Sequence, residues 1–431
     1  MSITPTALSA AQVLDSRGFP TVEARMTLDD GAVLVASAPA GASTGEHEAV
    51  ELRDGGAAFS GRGVTRAVQG VEREIGPLLT GTSWQSLADL DAAVRHLDGT
   101  GNDSRLGANA VVAVSIAAAR AFAHVDGVPL HRWIATSTGA TELLPVPHFN
   151  VLNGGAHAAN ELEFQEFMIA PVGARTEEEA VRTGAEVYHA LADLVRRRYG
   201  AAGLGDEGGF APPIAEPTEA LDLLVEAIDA AGHRPALDGV AIALDPAANG
   251  FGGRDGVYRF GGRELDRDAM ARYYADLLDA YPVRSLEDGF AEDDLEGWTV
   301  QYRALADRVQ LVGDDLYVTD ADRIRGGAGR YSNAALIKPN QIGTVTQTFE
   351  AIGAARENGM ACMVSHRSGE TSDDFIADLV VGTGVGQIKS GAPARGERVA
   401  KYNRLMRIEA ERSDLPFGLR TGGASGSTPR T

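Results

Sequence analysis

The sequence predicts an α/β protein in which a small N-terminal α+β domain precedes an eight-stranded β/α barrel. Two observations carry this prediction. Residues 1–135 show strand patterns first and helical patterns after them, as in an α+β unit. From about Pro145 onward, eight apolar runs, most of them four to six residues long, alternate with amphipathic helical stretches. Eight strands with mostly helical connections indicate a parallel, TIM-type barrel, and an open doubly wound sheet is the alternative.

The N-terminal domain, residues 1–135, begins with strands. Residues 11–30 are typical of two strands around the turn Asp15-Ser16-Arg17-Gly18, and Val33 to Ser37 follows as another strand. The segment from Pro39 to Gly45 is a loop that contains glycine and serine. Helical stretches are then expected at residues 62–80, 86–97, 106–125 and 128–136.

The barrel domain is expected over residues 136–419. Its apolar runs are His148 to Leu152, Phe164 to Ala170, Val240 to Leu244, Val283 to Leu286, Val309 to Val312, Ala334 to Ile337, Ala361 to Val364 and Val385 to Ile388. Helical stretches are expected near residues 177–199, 217–231, 266–280, 296–306, 343–357, 371–381 and 396–411. The tail, residues 420–431, is rich in glycine, serine and threonine, and we expect it to be disordered.

The composition argues against several classes of protein. The formal net charge of −21 disfavours a nucleic-acid or anionic-membrane surface, because phosphates would be repelled. It still permits a small anionic substrate in a local cationic pocket. Cys362 is the only cysteine, so no intrachain disulfide can form and a cytoplasmic location is expected. The apolar stretch Ala110 to Ala119 is too short to span a bilayer and predicts a buried helix.

Lysine is rare in this chain, since only three of its 39 basic residues are lysine. Arginine stays protonated at any working pH, whereas a buried lysine can lose its proton and act as a base. Lys338 and Lys389 each end an apolar run and are candidates for a role that arginine cannot fill. Lys401 lies in a helical stretch, and we interpret it as a chance survivor. Chance also remains the alternative for the other two.

Ionisable residues follow the last six predicted strands of the barrel. They are Asp245, Glu287, Asp314, Lys338, His366 and Lys389. The carboxyl ends of parallel barrel strands converge on one face, where the active sites of this fold lie. A single carboxylate there could simply cap the next helix, but three acidic and three basic residues in series indicate a functional site.

The three acidic residues would repel one another unless a cation lay between them. Oxygen ligands without cysteine or histidine suit a hard ion such as Mg²⁺. That ion and nearby positive groups would lower the pKa of Lys338, as a general base requires. Arg367 and Ser368 directly follow His366. The guanidinium can donate two parallel hydrogen bonds to a phosphate, and the hydroxyl can donate a third. A surface ion pair is the alternative for Arg367.

Three loops combine glycine with polar side chains. Asn153 to His157 follows the first barrel strand, and Gly205 to Phe210 carries the adjacent acids Asp206 and Glu207. Gly41 to Gly45 belongs to the N-terminal domain and could act as a lid. Glycine lets a loop fold closely over a ligand, while solvated turns or a flexible linker are the alternatives.

These residues occur in motifs that match a known family, and the chain resembles the enolases over nearly its whole length. The motifs are Asp15-Ser16-Arg17-Gly18, Gly41 to Gly45 with His47-Glu48, Gly154-Gly155-Ala156-His157, Gln165-Glu166-Phe167, Gly205 to Pro212, Ser285 to Asp288, Gly313-Asp314-Asp315-Leu316, Lys338 with Asn340-Gln341-Ile342-Gly343, Ser365 to Glu370, and Gln387-Ile388-Lys389 with Gly391-Ala392-Pro393-Ala394-Arg395. The resemblance implies a barrel whose early strands are not all parallel. It also implies a glycolytic hydro-lyase that interconverts 2-phosphoglycerate and phosphoenolpyruvate.

The resemblance further implies two Mg²⁺ ions and roles for individual residues. The ligands of the first ion would be Asp245, Glu287 and Asp314. Ser43 would help to bind the second ion at the substrate phosphate. Lys338 would take the C2 proton, and Glu207, with Glu166 beside it, would protonate the leaving hydroxyl. A lysine or histidine base with Mg²⁺ is already an established pattern of enolase-superfamily sites, not a new assignment.

The remaining implied site residues would contact the substrate. They are His157, which is grouped with the catalytic residues, and Gln165, His366, Arg367, Ser368 and Lys389. The resemblance also implies a homodimer or an octamer built from dimers.

The chain departs from the family pattern at three places. Phe19 and Ala40 stand where the family usually has asparagine and serine, and Asn249-Gly250 stands where it usually has serine and glutamate. None of them replaces an implied catalytic group. We interpret the departures as drift or as the sign of a paralogue with a shifted substrate. A paralogue that acts on a related phosphorylated or phosphonate acid is the second hypothesis. The third, an inactive relative kept as a binding or scaffold protein, predicts the loss of catalytic groups, and none is missing.

Overall fold

The structure is a computed structural model that describes residues 1–41, 45, 47–253 and 255–419. The predicted metal ligand Ser43 and the tail expected to be disordered, residues 420–431, lie outside the described residues. The chain begins with an antiparallel three-stranded meander. Its strands are β1 (Pro5–Leu14), β2 (Pro20–Leu28) and β3 (Val33–Ser37).

Helices follow the meander, as the sequence predicted. They are α1 (Thr65–Gly70), α2 (Gly76–Leu79), α3 (Leu87–Asp98), α4 (Ala108–Val125) and α5 (Leu130–Thr138), with a π-helical turn, Val71–Ile75, between the first two. Helix α4 packs on β2 and β3. By length and composition alone α4 could cross a membrane, and 83% of it is buried inside this fold.

Eight strands form the barrel. They are β4 (Val146–Asn153), β5 (Glu166–Pro171), β8 (Val240–Asp245), β11 (Val283–Glu287), β12 (Gln310–Gly313), β13 (Ala334–Ile337), β14 (Ala361–Ser365) and β15 (Gln387–Lys389). Two short hairpins accompany them, β6 (Gly203–Leu204) with β7 (Phe210–Ala211), and β9 (Val257–Phe260) with β10 (Arg263–Asp266). Each predicted apolar run overlaps a strand, and β15 pairs with β4 to close the sheet. The barrel is therefore confirmed, and the open sheet is excluded.

Helices cover the outside of the barrel. They are α6 (Glu177–Tyr199), α7 (Pro217–Ala230), α8 (Arg267–Ala280), α9 (Leu295–Leu305), α10 (Ala321–Gly327), α11 (Pro339–Ile342), α12 (Val345–Glu357), α13 (Phe375–Thr383) and α14 (Gly396–Glu411). Helix α6 illustrates how the sequence specifies this layer. Thr176 caps it by accepting a hydrogen bond from the Glu179 amide, and acidic residues fill its first turn while arginines fill its last. This arrangement complements the helix dipole.

Strand β5 runs antiparallel to both of its neighbours, β4 and β8. The prediction of a parallel barrel from the strand pattern is wrong at this strand, whereas the mixed barrel implied by the resemblance is found. Residues 154–165, which link β4 to β5, contain only the short 3₁₀ turn Gly155–His157, and a parallel pair needs a longer, usually helical, crossover. The reversal places Glu166, the first residue of β5, opposite Asp245, the last residue of β8.

The N-terminal helices pack directly on the barrel helices. Helix α4 contacts α11 and α12, and α3 contacts α12. At this contact the buried carboxylate of Asp91 accepts hydrogen bonds from the amide and the hydroxyl of Thr346, at 3.1 and 2.6 Å. The Thr346 amide lies in the first turn of α12, where it has no acceptor within the helix. A side chain from the N-terminal region thus satisfies it.

Candidate active site

Six parallel strands, β8 and β11 to β15, end on one face of the barrel and bring the predicted ionisable residues there. One cavity on this face is lined by eleven of the thirteen predicted site residues. They are His157, Gln165, Glu166, Glu207, Asp245, Asp314, Lys338, His366, Arg367, Ser368 and Lys389. Of the other two, Glu287 lies 2.7 Å from the Lys389 amine and Ser43 is not described.

Lys389 is a buried cation among carboxylates. Its Nζ donates a 2.7 Å hydrogen bond to Glu287 Oε1 and lies 3.4 Å from oxygens of Glu166 and Asp245. Burial by itself would lower the pKa of Lys389, but the carboxylates around it outweigh burial and raise the pKa well above its ordinary value. Lys389 therefore stays charged and suits binding of an anionic substrate better than proton transfer.

Lys338 contacts the predicted metal ligand Asp314. Its Nζ donates to Asp314 Oδ2, while Asp314 Oδ1 accepts a 2.9 Å hydrogen bond from Gln341. Burial would lower the pKa of Lys338, but Asp314 reverses the effect and the pKa lies above its ordinary value. From the sequence we expected a lowered pKa. The sign differs because a metal ion and cationic neighbours were considered there, whereas in the structure the Asp314 carboxylate is the direct partner of Lys338.

The carboxylates of the site fit a hard divalent cation. Among the described residues, two groups of three bring their donor atoms within 4.8 Å of one another. The first group is His157, Glu166 and Glu207. The second is Asp288, Asp314 and Asp315. The predicted set of Asp245, Glu287 and Asp314 is not one of them. Lysine amines contact all three of its carboxylates. Glu287 Oε2 is nevertheless buried without a hydrogen-bond partner among the residues that the structure describes. An orphaned carboxylate oxygen of this kind is suited to a metal ligand.

Glu166 and Glu207 form a coupled pair around His157. His157 Nδ1 lies 3.9 Å from Glu166 Oε1 and 3.7 Å from Glu207 Oε1. Burial and the charge of Glu207 raise the pKa of Glu166 well above its usual range. Burial also opposes ionisation of Glu207, but His366, His157 and Arg398 together hold its pKa well below that range. The pKa values of the two carboxyls are thus shifted in opposite directions, and the acid role predicted for Glu207, with Glu166 beside it, stays a prediction.

Arg367 is buried, so the surface ion pair considered for it is excluded. Its guanidinium donates to both carboxylate oxygens of Glu48, at 2.8 and 3.2 Å, and to the Asn340 side chain at 3.2 Å. Burial would lower the pKa of Arg367, but Glu48 raises it above its ordinary value. The neighbouring Ser368 hydroxyl accepts a 3.5 Å hydrogen bond from Arg17. A charged fork and a hydroxyl therefore face the cavity side by side.

Several residues that organise the site had no predicted role. Glu48 orients Arg367, and Gln341 donates to Asp314. Asp288, which has a positive φ of 40°, accepts hydrogen bonds from the amides of Asp314 and Asp315, each at 2.9 Å. Each of these side chains lies in a motif that carried the resemblance. Their local sequence carried no further signal, because their partners come from other strands.

Lys401, which we interpreted from the sequence as a chance survivor, is a buried residue with a structural role. It is 1% exposed, and its Nζ donates to Glu370 Oε2 at 2.8 Å and to the carbonyl oxygens of Thr371 and Glu397 at 2.7 and 2.8 Å. Glu370 in turn accepts a hydrogen bond from the Arg367 amide. Lys401 thus supports the loop that carries Arg367.

The departures from the family pattern lie around the cavity rather than in its lining. Phe19 packs under the Arg62 guanidinium, 4.2 Å from the ring centroid, and Ala40 pairs its backbone with Gly369. Asn249 donates a 2.9 Å hydrogen bond to Asp315 and accepts one from the Glu292 amide. It therefore bridges two loops next to Asp314, the predicted metal ligand.

Comparison with known proteins gives two family matches and a full-length relative. The family model described as "Enolase, N-terminal domain" matches residues 6–134, and the one described as "Enolase, C-terminal TIM barrel domain" matches residues 141–417. A curated relative from Mycobacterium leprae (strain TN), named Enolase, is 52% identical over 409 residues. That alignment covers 94% of this chain and 94% of the relative.

Proposed function

Because the chain belongs to the enolase family and interconverts 2-phosphoglycerate and phosphoenolpyruvate, we propose that Lys338 is its base and that the Glu166–Glu207 pair is its acid. One observation carries the assignment. A lysine amine and a carboxyl pair whose pKa values shift in opposite directions line the same cavity as two buried cations, Lys389 and Arg367. An elimination from an anionic substrate needs such a base, such an acid and such counter-charges.

The substrate is bound through its negative charges. Arg367 and Ser368 offer a fork and a hydroxyl to the phosphate, and the phosphate competes with Glu48 for the guanidinium. Lys389 stays charged beside the acidic ligands and attracts the substrate carboxylate. Gln165, His157 and His366 line the remaining wall. Together these residues hold C2 and the C3 hydroxyl in fixed positions for the two proton transfers.

Proton removal falls to Lys338. The C2 proton is very weakly acidic, because its loss adds negative charge to a group that is already anionic. Lys338 must therefore be neutral when substrate is present, which requires Asp314 to be engaged elsewhere. Asp245, Glu287 and Asp314 would hold one Mg²⁺ ion and Ser43 would help to hold a second. These ions would supply positive charge that stabilises the dianion and favours a neutral Lys338.

Loss of the C3 hydroxyl needs a proton from the Glu166–Glu207 pair. Hydroxide is a poor leaving group, and a carboxylic acid that stays protonated near neutral pH can convert it to water. The pair titrates as a unit, so its proton is available from either carboxyl. His157, which lies within 4 Å of both, is placed to orient them.

The wider assignments belong to the same proposal. The protein acts on a small phosphorylated substrate in the cytoplasm, as a homodimer or an octamer, and binds neither nucleic acid nor membrane. The division into residues 1–135 and 136–419 is kept as the domain boundary. The acidic balance of the chain supports the expectation that it binds neither nucleic acid nor an anionic membrane.

Turnover of 2-phosphoglycerate with and without Mg²⁺ tests the reaction. Lys338→Arg keeps the positive charge but cannot supply a neutral amine, so kcat should fall by at least about 100-fold. The matched control, Arg303→Ala on the exposed face of α9, should leave kcat unchanged.

Exchange of the substrate C2 proton with solvent deuterium separates the base from the acid. Lys338→Ala should abolish both exchange and dehydration, while Glu207→Gln should slow dehydration more than exchange. Absence of wild-type turnover in Mg²⁺ would refute the reaction. Unchanged turnover in Lys338→Arg would remove Lys338 from the role of base.

A further inference from the structure

Arg398, on the first turn of α14, is a fully buried arginine. It lies behind His366, next to the part of the cavity that Glu207 lines. Its guanidinium lies 2.6 Å from His366 Nδ1. It also donates to the carbonyl oxygens of Arg367 and Ser368, each at 2.6 Å. Arg398 therefore contacts both the backbone of the substrate loop and the ring of a residue in the cavity wall.

The contact with Arg398 determines the tautomer of His366. A guanidinium can only donate hydrogen bonds, so His366 Nδ1 must be the acceptor and carries no proton. Burial, and to a smaller extent Arg398, lower the pKa of His366 to about 4, so the ring is neutral at pH 7. The single ring proton then lies on Nε2.

His366 Nε2 points toward the acid pair. It lies 3.2 Å from Glu207 Oε2, in a geometry too bent for a full hydrogen bond, and it has no other partner among the described residues. Asn150 donates a 2.8 Å hydrogen bond to the same oxygen. Two N–H groups from different strands thus converge on Oε2, whereas Oε1 faces His157.

We propose that Arg398 is a positioning residue that holds His366 as the neutral Nε2–H tautomer, so that Glu207 Oε2 stays an acceptor and any proton on Glu207 is carried by Oε1. This inference rests on the proposed function of Glu207. With the opposite tautomer, the lone pair of Nε2 would face a carboxylate oxygen. Glu207 would then be driven to protonate on Oε2, away from His157 and Glu166.

The tautomer is measurable directly. In ¹⁵N-histidine-labelled protein, the ring nitrogens of His366 are assigned by their loss in His366→Gln, and we expect a bare Nδ1 and a protonated Nε2 in the wild type. In Arg398→Met the Nε2–H tautomer should lose its dominance, and kcat should fall about 100-fold with a smaller change in KM. Arg398→Lys keeps one donor for Nδ1 and should restore both the tautomer and most of kcat.

A purely structural role of Arg398 predicts a different result. Loosening of the Arg367–Ser368 loop would raise KM while the His366 tautomer stayed unchanged, and that result would overturn the proposal. A protonated Nδ1 in the wild-type spectrum would overturn it without any variant, even if Arg398→Met does not fold. If the wild type shows the Nε2–H tautomer but no turnover of 2-phosphoglycerate, the proposed reaction fails and the inference about Glu207 fails with it.

Discussion

The buried amine of Lys401 should contribute strongly to stability, and Lys401→Met tests this. Methionine preserves the unbranched apolar stem but removes all three hydrogen bonds of the ammonium. The Glu370 carboxylate, only 5% exposed, then loses its counter-charge and keeps donors such as the Arg367 and Thr371 amides. Removing one partner of a buried ion pair costs about 3–5 kcal/mol, so we expect a loss in that range.

Urea unfolding at a fixed protein concentration, followed by circular dichroism, gives the free energy of unfolding for each variant. Arg407→Met, on the exposed side of the same helix, is the matched control and should stay within about 0.5 kcal/mol of the wild type. Adding Glu370→Gln to Lys401→Met should recover about 1 kcal/mol or more, because the buried charge is then gone. If Lys401→Met is no more harmful than Arg407→Met, the reasoning about the buried pair is wrong.

Three further predictions follow from packing, titration and ligand binding. A Cβ added in Gly184→Ala would lie 2.3 Å from the Phe149 ring, so this variant should lose about 1–3 kcal/mol of unfolding free energy despite the higher helix propensity of alanine. Burial raises the pKa of Asp91 to about 6, so the folded state favours the protonated carboxyl. The stability that this protonated form contributes is fully present below pH 4 and is lost as the pH rises through 6. Asp91→Asn should therefore gain up to about 3 kcal/mol relative to the wild type between pH 4 and 7, and a constant difference across that range would contradict the assignment. Mg²⁺ at 100 times its dissociation constant should stabilise the wild type by about 2.7 kcal/mol, measured as a thermal midpoint that a chelator reverses, and Asp314→Asn should lose most of that gain.

The barrel was predictable because its strands are short apolar runs bounded by polar residues, a local pattern that needs no knowledge of partners. The candidate site was also partly predictable. Residues such as Asp245 and Lys389 end their strands, and strand ends in a parallel barrel meet on one face. The direction of β5 was not predictable from periodicity alone, because an antiparallel and a parallel strand have the same alternation of side chains.

The roles of Lys401 and Arg398 could not be predicted for a related reason. Both lie on one helix, three residues apart, and therefore on the same face of it. Charged side chains are seldom fully buried, so their identity gave no reason to expect burial. Only the packing of α14 against the loop after β14 supplies the acceptors that make burial of two cations possible. A sequence lists donors, but it does not state which acceptors will lie within 3 Å of them.

The amino-acid sequence alone therefore determined the strand and helix order, the family, and the set of ionisable groups at the strand ends, because each is encoded in residues close together in the chain. The tertiary structure alone decided which lysine contacts which carboxylate, in which directions the pKa values of Glu166 and Glu207 shift, and which nitrogen of His366 faces Arg398. These properties depend on burial and on charges brought together from distant parts of the chain. A pKa or a tautomer is set by that environment and not by the identity of the residue.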